Sequence, residues 1–168
     1  MFGTKWKFNK ENTGFTIVEI IVVIAIIITA FIAILSFFIF ENRTSDRGRI
    51  RLRAISLLEE TMEAVRNFRD NTDWEINGVG TMGSGTNYHP VMASKSWDII
   101  SGNEAIDGFT RVIIFTSISR DANDNIEQTY NPLRNDSDTK KVSIIITWKD
   151  RDTPTSENLE TYITNWRR

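Results

Sequence analysis

The sequence has no cysteine, one histidine, three prolines and no marked charge excess, its 20 basic and 22 acidic side chains leaving a net −2. Without cysteine there is no disulfide, no thiolate nucleophile and no cysteine-based zinc site. The compartment stays open, because exported proteins can do without disulfides. The lone histidine, His89, has no second histidine or cysteine to share a zinc ion, and its place between Tyr88 and Pro90 reads as a surface loop. No glycine-rich phosphate loop and no nucleophile elbow occurs, so neither nucleotide chemistry nor nucleophilic hydrolysis has a starting point. The charge balance offers no electrostatic footprint for nucleic acid. One further scarcity is local. Between Phe15 and Phe40 there is no proline and no glycine, and Glu19 is the only strongly polar side chain.

What is present there is a membrane-length helix. The residues from Ile20 to Phe40, at about 1.5 Å each, span roughly 31 Å, the thickness of a hydrocarbon core. A buried strand would be far shorter. Thr16, Thr29 and Ser36 are cheap in lipid because their hydroxyls can bond back to helix carbonyls. Glu19 is the exception. A charged acid deep in a bilayer costs on the order of 3 kcal/mol. One reading makes it an interfacial residue of a simple anchor, in the first turns of a helix whose dipole favours negative charge. The other has it waiting for a cationic partner in an assembly.

The segment before the run carries Lys5, Lys7 and Lys10 against Glu11. Removing these from totals of 20 basic and 22 acidic side chains leaves 17 and 21, a net −4. A secretory signal places its small-residue cleavage site after the apolar stretch. Here the small residue, Gly14, stands before it. Cleavage after Gly14 would discard the polar leader and keep the apolar helix.

The stretch GFTIVEIIVVIAII resembles the processing site of type IV pilins and pseudopilins. That resemblance implies a prepilin peptidase cutting between Gly14 and Phe15 on the cytoplasmic side. It implies an N-methylated Phe15 and a role for Glu19 in assembly, paired with the Phe15 amine of a neighbouring subunit. A buried acid and a buried amine each relieve the other's desolvation, and the uncut leader would displace the amine. Thr16 and Val18 also fit the pattern. Many pilins carry a proline about twenty residues into the mature helix; this chain does not.

Residues 41–70 continue as an amphipathic helix. Ile50, Ala54, Leu57, Leu58, Met62, Val65 and Phe68 recur at three- and four-residue steps. Gly48 would loosen or bend it, at about 1 kcal/mol in a helix interior. Arg43, Arg47, Arg49, Arg51 and Arg53 form a basic stripe, read either as a solvated face or as a contact for lipid headgroups or filament partners. With a cytoplasmic leader these arginines lie outside, against the positive-inside tendency, and the leader lysines oppose them.

The segment 71–90 holds Gly78, Gly80, Gly83 and Gly85 and reads mainly as loop. Strand alternation follows at Phe109–Arg120, at Lys141–Lys149 with Val142, Ile144, Ile146 and Trp148 on one face, and at Leu159–Trp166. Lys95–Ile100 adds a short edge strand. The expected fold is α+β: a long N-terminal helix, transmembrane in its first half, packed on a C-terminal antiparallel sheet. The divisions are a leader (1–14), a membrane or filament-core helix (15–40), its amphipathic continuation (41–70) and a head (71–168). This order is similar to that of pilins, and LLEETMEAVRNFRD, FTRVIIFTSISRD and LETYITNW look like segments of pilus-modification-like minor pilins.

Asp121, Asn123 and Asn125 alternate like the start of a calcium loop. Ile126 replaces the required glycine and Pro132 stands where the closing acid belongs, so this is no EF-hand. A polar hairpin turn explains it; Asp136 and Asp138 could join in space, and some related pseudopilins bind calcium. Trp74, Trp97, Trp148 and Trp166 read as packing residues, with carbohydrate binding or adhesion as the other use. The expected function is that of a minor type IV pilin, a non-enzymatic filament subunit without cofactor. Its expected partners are other pilin subunits, the prepilin peptidase, the inner-membrane assembly platform and the bilayer. It would be a single-pass inner-membrane protein with its head outside the cytoplasm, entering a pilus on assembly. Two rivals stand beside it: a pseudopilin of a type II secretion or DNA-uptake machine, and a monomeric bitopic protein whose head binds something outside the cell.

Overall fold

A computed structural model describes residues 16–166, without the side chains of residues 42 and 43. One helix, α1, runs Ile17–Asn71. Its residues belong to two compact units, one ending at Asp46 and the other running Arg47–Arg168.

In the first unit, every residue from Thr16 to Glu41 is exposed, including each large apolar one. The helix is apolar on all sides, with a mean hydropathy of 3.2 over its most apolar window, and is long and apolar enough to cross a membrane. Its hydroxyls behave as the sequence predicts at two positions. Thr29 Oγ1 donates to the carbonyls of Ala25 (3.0 Å) and Ile26 (2.9 Å), and Ser36 Oγ to that of Ile32 (2.8 Å). Thr16 differs. It precedes the helix, so no earlier helical carbonyl is within reach, and its hydroxyl serves as a cap instead.

In the second unit the helix becomes two-faced. Ala54, Leu57, Leu58, Met62, Val65 and Phe68 are buried, as the periodicity predicts, with Ile50 partly buried beside them. Thr61 and Ala64 complete the stripe. Thr61 turns its hydroxyl onto the Leu57 carbonyl at 2.5 Å, so a polar group enters the core already bonded.

That stripe packs on an antiparallel sheet of six strands: β1 Asn87–Ala93, β2 Ser96–Ser101, β3 Glu104–Ile106, β4 Phe109–Ser119, β5 Asn135–Asp150 and β6 Thr153–Thr164. The order is β2-β1-β4-β5-β6, with β3 paired to β4. Alternation aims one side of each central strand at the helix. Phe109, Ile113 and Phe115 of β4 and Val142, Ile144, Ile146 and Trp148 of β5 are buried, and Ile163 joins them from β6. Phe115 lies opposite Val142, and Ile113 opposite Ile144. The fold is therefore α+β, a long N-terminal helix followed by an antiparallel sheet, as expected.

Several details depart from the sequence reading: β3 was not expected, and β6 begins at Thr153, six residues before Leu159, and ends at Thr164. The glycine-rich segment ends in strand β1, so His89 is a half-buried strand residue opposite Ile100 and not a loop residue. Strand β5 begins six residues before Lys141, at Asn135. The β4–β5 register shifts between Ser117 and Ile118, a bulge that lets the polar start of β5 keep pairing.

Candidate functional site: the exposed helix and its first turn

Gly14 and Phe15 lie outside the described residues. The site can be built from Thr16 onward. Thr16 stands just before the helix, its carbonyl accepting the first helical bond from Ile20 N at 3.2 Å. Its Oγ1 accepts from Glu19 N at 3.3 Å. Thr16 is thus the N-cap and Glu19 the third helical residue, the Thr-x-x-Glu spacing of a capping box. The acid therefore sits where the unpaired amides and the dipole of the helix both favour negative charge. Beyond it the exposed surface from Ile20 to Phe40 is apolar apart from Thr29 and Ser36. Contiguous apolar surface on this scale requires a cover of lipid or of other protein.

The basic stripe is placed differently from a free cationic face. Arg47 Nε lies 3.1 Å from Asp150, Arg51 Nε 2.7 Å from Glu157, and Arg53 Nη2 3.3 Å from Asp107. These acids come from the β5–β6 hairpin, from β6 and from the β3–β4 turn. Three of the arginines thus tie the helix to its own sheet, while Arg49 is exposed with no side-chain partner among the described residues. The pairs are solvent-facing and each is worth at most about 1 kcal/mol.

The calcium candidates are occupied by their own loop. Asp121 Oδ1 accepts from the backbone amides of Asn123 (2.8 Å) and Asn125 (2.9 Å), and Asp121 N donates to the Asn125 carbonyl at 2.8 Å. The amides and side chain of Asn125 hold the exposed Asp121 carboxyl below its usual range. Asp136 is taken by a cation of the chain itself: Arg120 Nε donates to it at 2.6 Å. Asp138 accepts from Asn165 Nδ2 at 3.4 Å. Among the described residues, no group of three or more His, Asp or Glu side chains is arranged to hold a metal ion.

A charge cluster that sequence reasoning missed lies inside the head. Arg111 occupies an inward-facing position of β4, opposite Ile146, with its side chain 3% exposed. Its Nε donates to Glu104 Oε2 at 2.6 Å, and its Nη1 donates to Glu60 Oε1 at 2.9 Å and to Thr61 Oγ1 at 3.3 Å. One guanidinium fork thereby fastens helix α1 to β3 and β4. A buried arginine survives because two carboxylates and a hydroxyl replace its water. The available signal was weak: an arginine in phase with Phe109, Ile113 and Phe115, whose partners lie far away in the chain.

No family model, no curated protein and no solved structure matches the chain.

Proposed function

We propose that this chain is a minor type IV pilin, a structural filament subunit and not an enzyme. In this reading it is made as a membrane-anchored precursor. A prepilin peptidase cuts between Gly14 and Phe15, Phe15 is methylated, and the head stands outside the cytoplasm. The observation that carries the reading is one of order. A small residue and a polar, lysine-bearing leader precede an apolar helix whose residues from Thr16 to Glu41 are all exposed. A leader that is cut off in front of such a helix leaves the apolar surface on the mature protein, and that surface then needs a lasting cover. The bilayer covers it before assembly and the helices of other subunits afterwards.

The first turn supports the same reading. Cleavage would leave the amine of Phe15 one residue ahead of the N-cap Thr16, with Glu19 in the same turn. In a filament, the Phe15 amine of one subunit pairs with Glu19 of the next, and both charges leave water together. Either alone would be strongly unfavourable. The head supports it too, since an amphipathic helix half under an antiparallel sheet gives a soluble body that buries its own apolar residues.

The test is the intact mass of the chain from membranes of cells with an active prepilin peptidase. A chain beginning at Phe15 and carrying one methyl group is expected. Persistence of the Met1 form would contradict the processing and, with it, the filament reading. Gly14→Val should block cutting, because a branched side chain crowds the scissile carbonyl.

A further inference from the structure

Strand β5, Asn135–Asp150, joins two ends of the head that lie roughly 50 Å apart at about 3.3 Å per residue. Just before its first residue stands the loop 120–134, which closes in the turn Pro132–Arg134. At its other end the β5–β6 hairpin meets the helix, where Arg47 bonds Asp150 and Arg51 bonds Glu157. These two ends match each other in shape and in charge. We propose that they bind: the loop end of one copy seats on the hairpin end of a second copy, with Leu133 as the inserted side chain.

Leu133 is 95% exposed, and Tyr130 and Pro132 beside it are exposed as well. A single exposed leucine is ordinary. Here three apolar residues share one turn, and the turn is fixed. Asn131 N donates to the Ser119 hydroxyl at 2.9 Å, and Asn131 Oδ1 accepts from Leu133 N at 3.1 Å. Arg134 Nη1 donates to Glu127 Oε1 at 3.2 Å, and the Tyr130 hydroxyl donates to Asn135 Oδ1 at 3.0 Å. Polar bonds set the shape of the loop, and Leu133 adds almost no buried area to it. A side chain displayed on a fixed backbone loses little freedom on docking.

The hairpin end offers the seat. A cavity of about 230 Å³ is lined by Ile50, Trp148, Thr155 and the two ion pairs. It is smaller than the roughly 300–1,000 Å³ of small-molecule sites and suits an apolar side chain. Ile50 is partly buried and Trp148 is 8% exposed, so the core of the head reaches the surface here. Leu133 seated on them extends that core across two copies.

Charge sets the pairing. Residues 120–136 carry two arginines against four acids, a net −2. Residues 47–53 carry four arginines and no acid. Their bonded partners Asp150, Glu157 and Asp107 leave one positive charge over, and Lys149 and Arg151 against Asp152 leave another. Unlike ends attract and like ends repel, which selects a head-to-tail contact over a two-fold one. Such a contact leaves a free patch at each end of the pair and therefore propagates. It is a property of the head and does not rest on processing at Gly14.

The sequence has no cysteine, so introduced cysteines report this contact alone. Two full-length variants are mixed in detergent under mild oxidation: Pro132→Cys, beside Leu133, and Thr155→Cys, in the lining of the cavity. The mixture should form about tenfold more disulfide dimer than either variant alone. Leu133→Ser added to the first variant should lower that yield severalfold. Arg49→Glu added to the second should do the same, without breaking an ion pair of the head, since Arg49 has no side-chain partner among the described residues. The inference is overturned if the mixture forms no more dimer than the separate variants, or if either added substitution leaves the yield unchanged.

Discussion

The two halves of α1 obey different rules. From Ile17 to Phe40 the helix is apolar in every direction apart from its first turn and wholly exposed, so no described residue covers it. From Ala54 to Phe68 apolar residues keep to one stripe, and the sheet covers it. Hydrophobicity alone does not separate a core from an anchor; periodicity does. A stripe declares that its cover is part of the same fold, whereas apolarity all round declares that the cover is lipid or another protein. The charges follow the same division. The only ionisable side chain between Ile17 and Phe40 is Glu19, in the first turn, while the second half carries arginines on its flanks and glutamates on its open face.

The sharpest way to break this comparison is to cut the helix between its halves. A fragment from Arg47 to Arg168 should be soluble, monomeric and cooperative in its thermal melt, while the full chain requires detergent. Aggregation of the fragment in every buffer would show that the head also depends on an outside cover. A subtler version keeps the helix whole and shortens one side chain in each half. Leu57→Ala, in the stripe, should lower the stability of the head by about 2–5 kcal/mol, read from the urea midpoint in detergent. Ile26→Ala should leave that midpoint unchanged, because no atom of the head's core is removed.

The Arg111 cluster refines the second half of the comparison. Arg111→Ala should cost the head about 3 kcal/mol, since it leaves two carboxylates without their cation at a largely buried position. Glu60 and Glu104 keep some access to water, so the figure belongs at the lower end. Arg111→Met should cost clearly less, because it fills the space while the two acids turn outward. Equal losses in both variants would mean that the lost charge pairing, and not the space left by the side chain, sets the contribution. The smallest effect is expected on the arginine flank. Arg51→Ala should change the midpoint by less than about 1 kcal/mol, and added salt should erase the difference.

Much of this was legible in the sequence, and the exceptions have identifiable causes. The membrane-length apolar helix and the stripe announced themselves through a long unbroken run and through steps of three and four. Strand β5 did so through Val142, Ile144, Ile146 and Trp148, all buried. Strand β1 did not, because glycines precede it and Pro90 interrupts it. The structure shows why the proline is tolerated: β1 pairs with β4 only at Asn87 and Tyr88, so around Pro90 it is hydrogen-bonded to β2 alone. The start of β5 was hidden by its polarity, since NDSDTKK reads as turn, yet Asn135 and Asp136 pair with β4, Thr139 with β6, and Lys140 and Lys141 with both. The Arg111 cluster was invisible for a different reason. It is made by residues tens of positions apart, and no local pattern encodes such a meeting.

The central claim is that Glu19 serves assembly by its charge. Its place in the first turn offers a competing role, because a capping box accepts glutamate or glutamine alike. Glu19→Gln separates the two, keeping the cap and removing the charge. The measurement is the amount of this subunit in sheared filaments relative to its amount in membranes. The account predicts that Glu19→Gln inserts and is cleaved normally but enters filaments more than a hundredfold less. That corresponds to the roughly 3–5 kcal/mol cost of breaking a buried pair from one side. Filament content equal to that of the parent would contradict it and leave Glu19 as the capping residue of a simple membrane anchor.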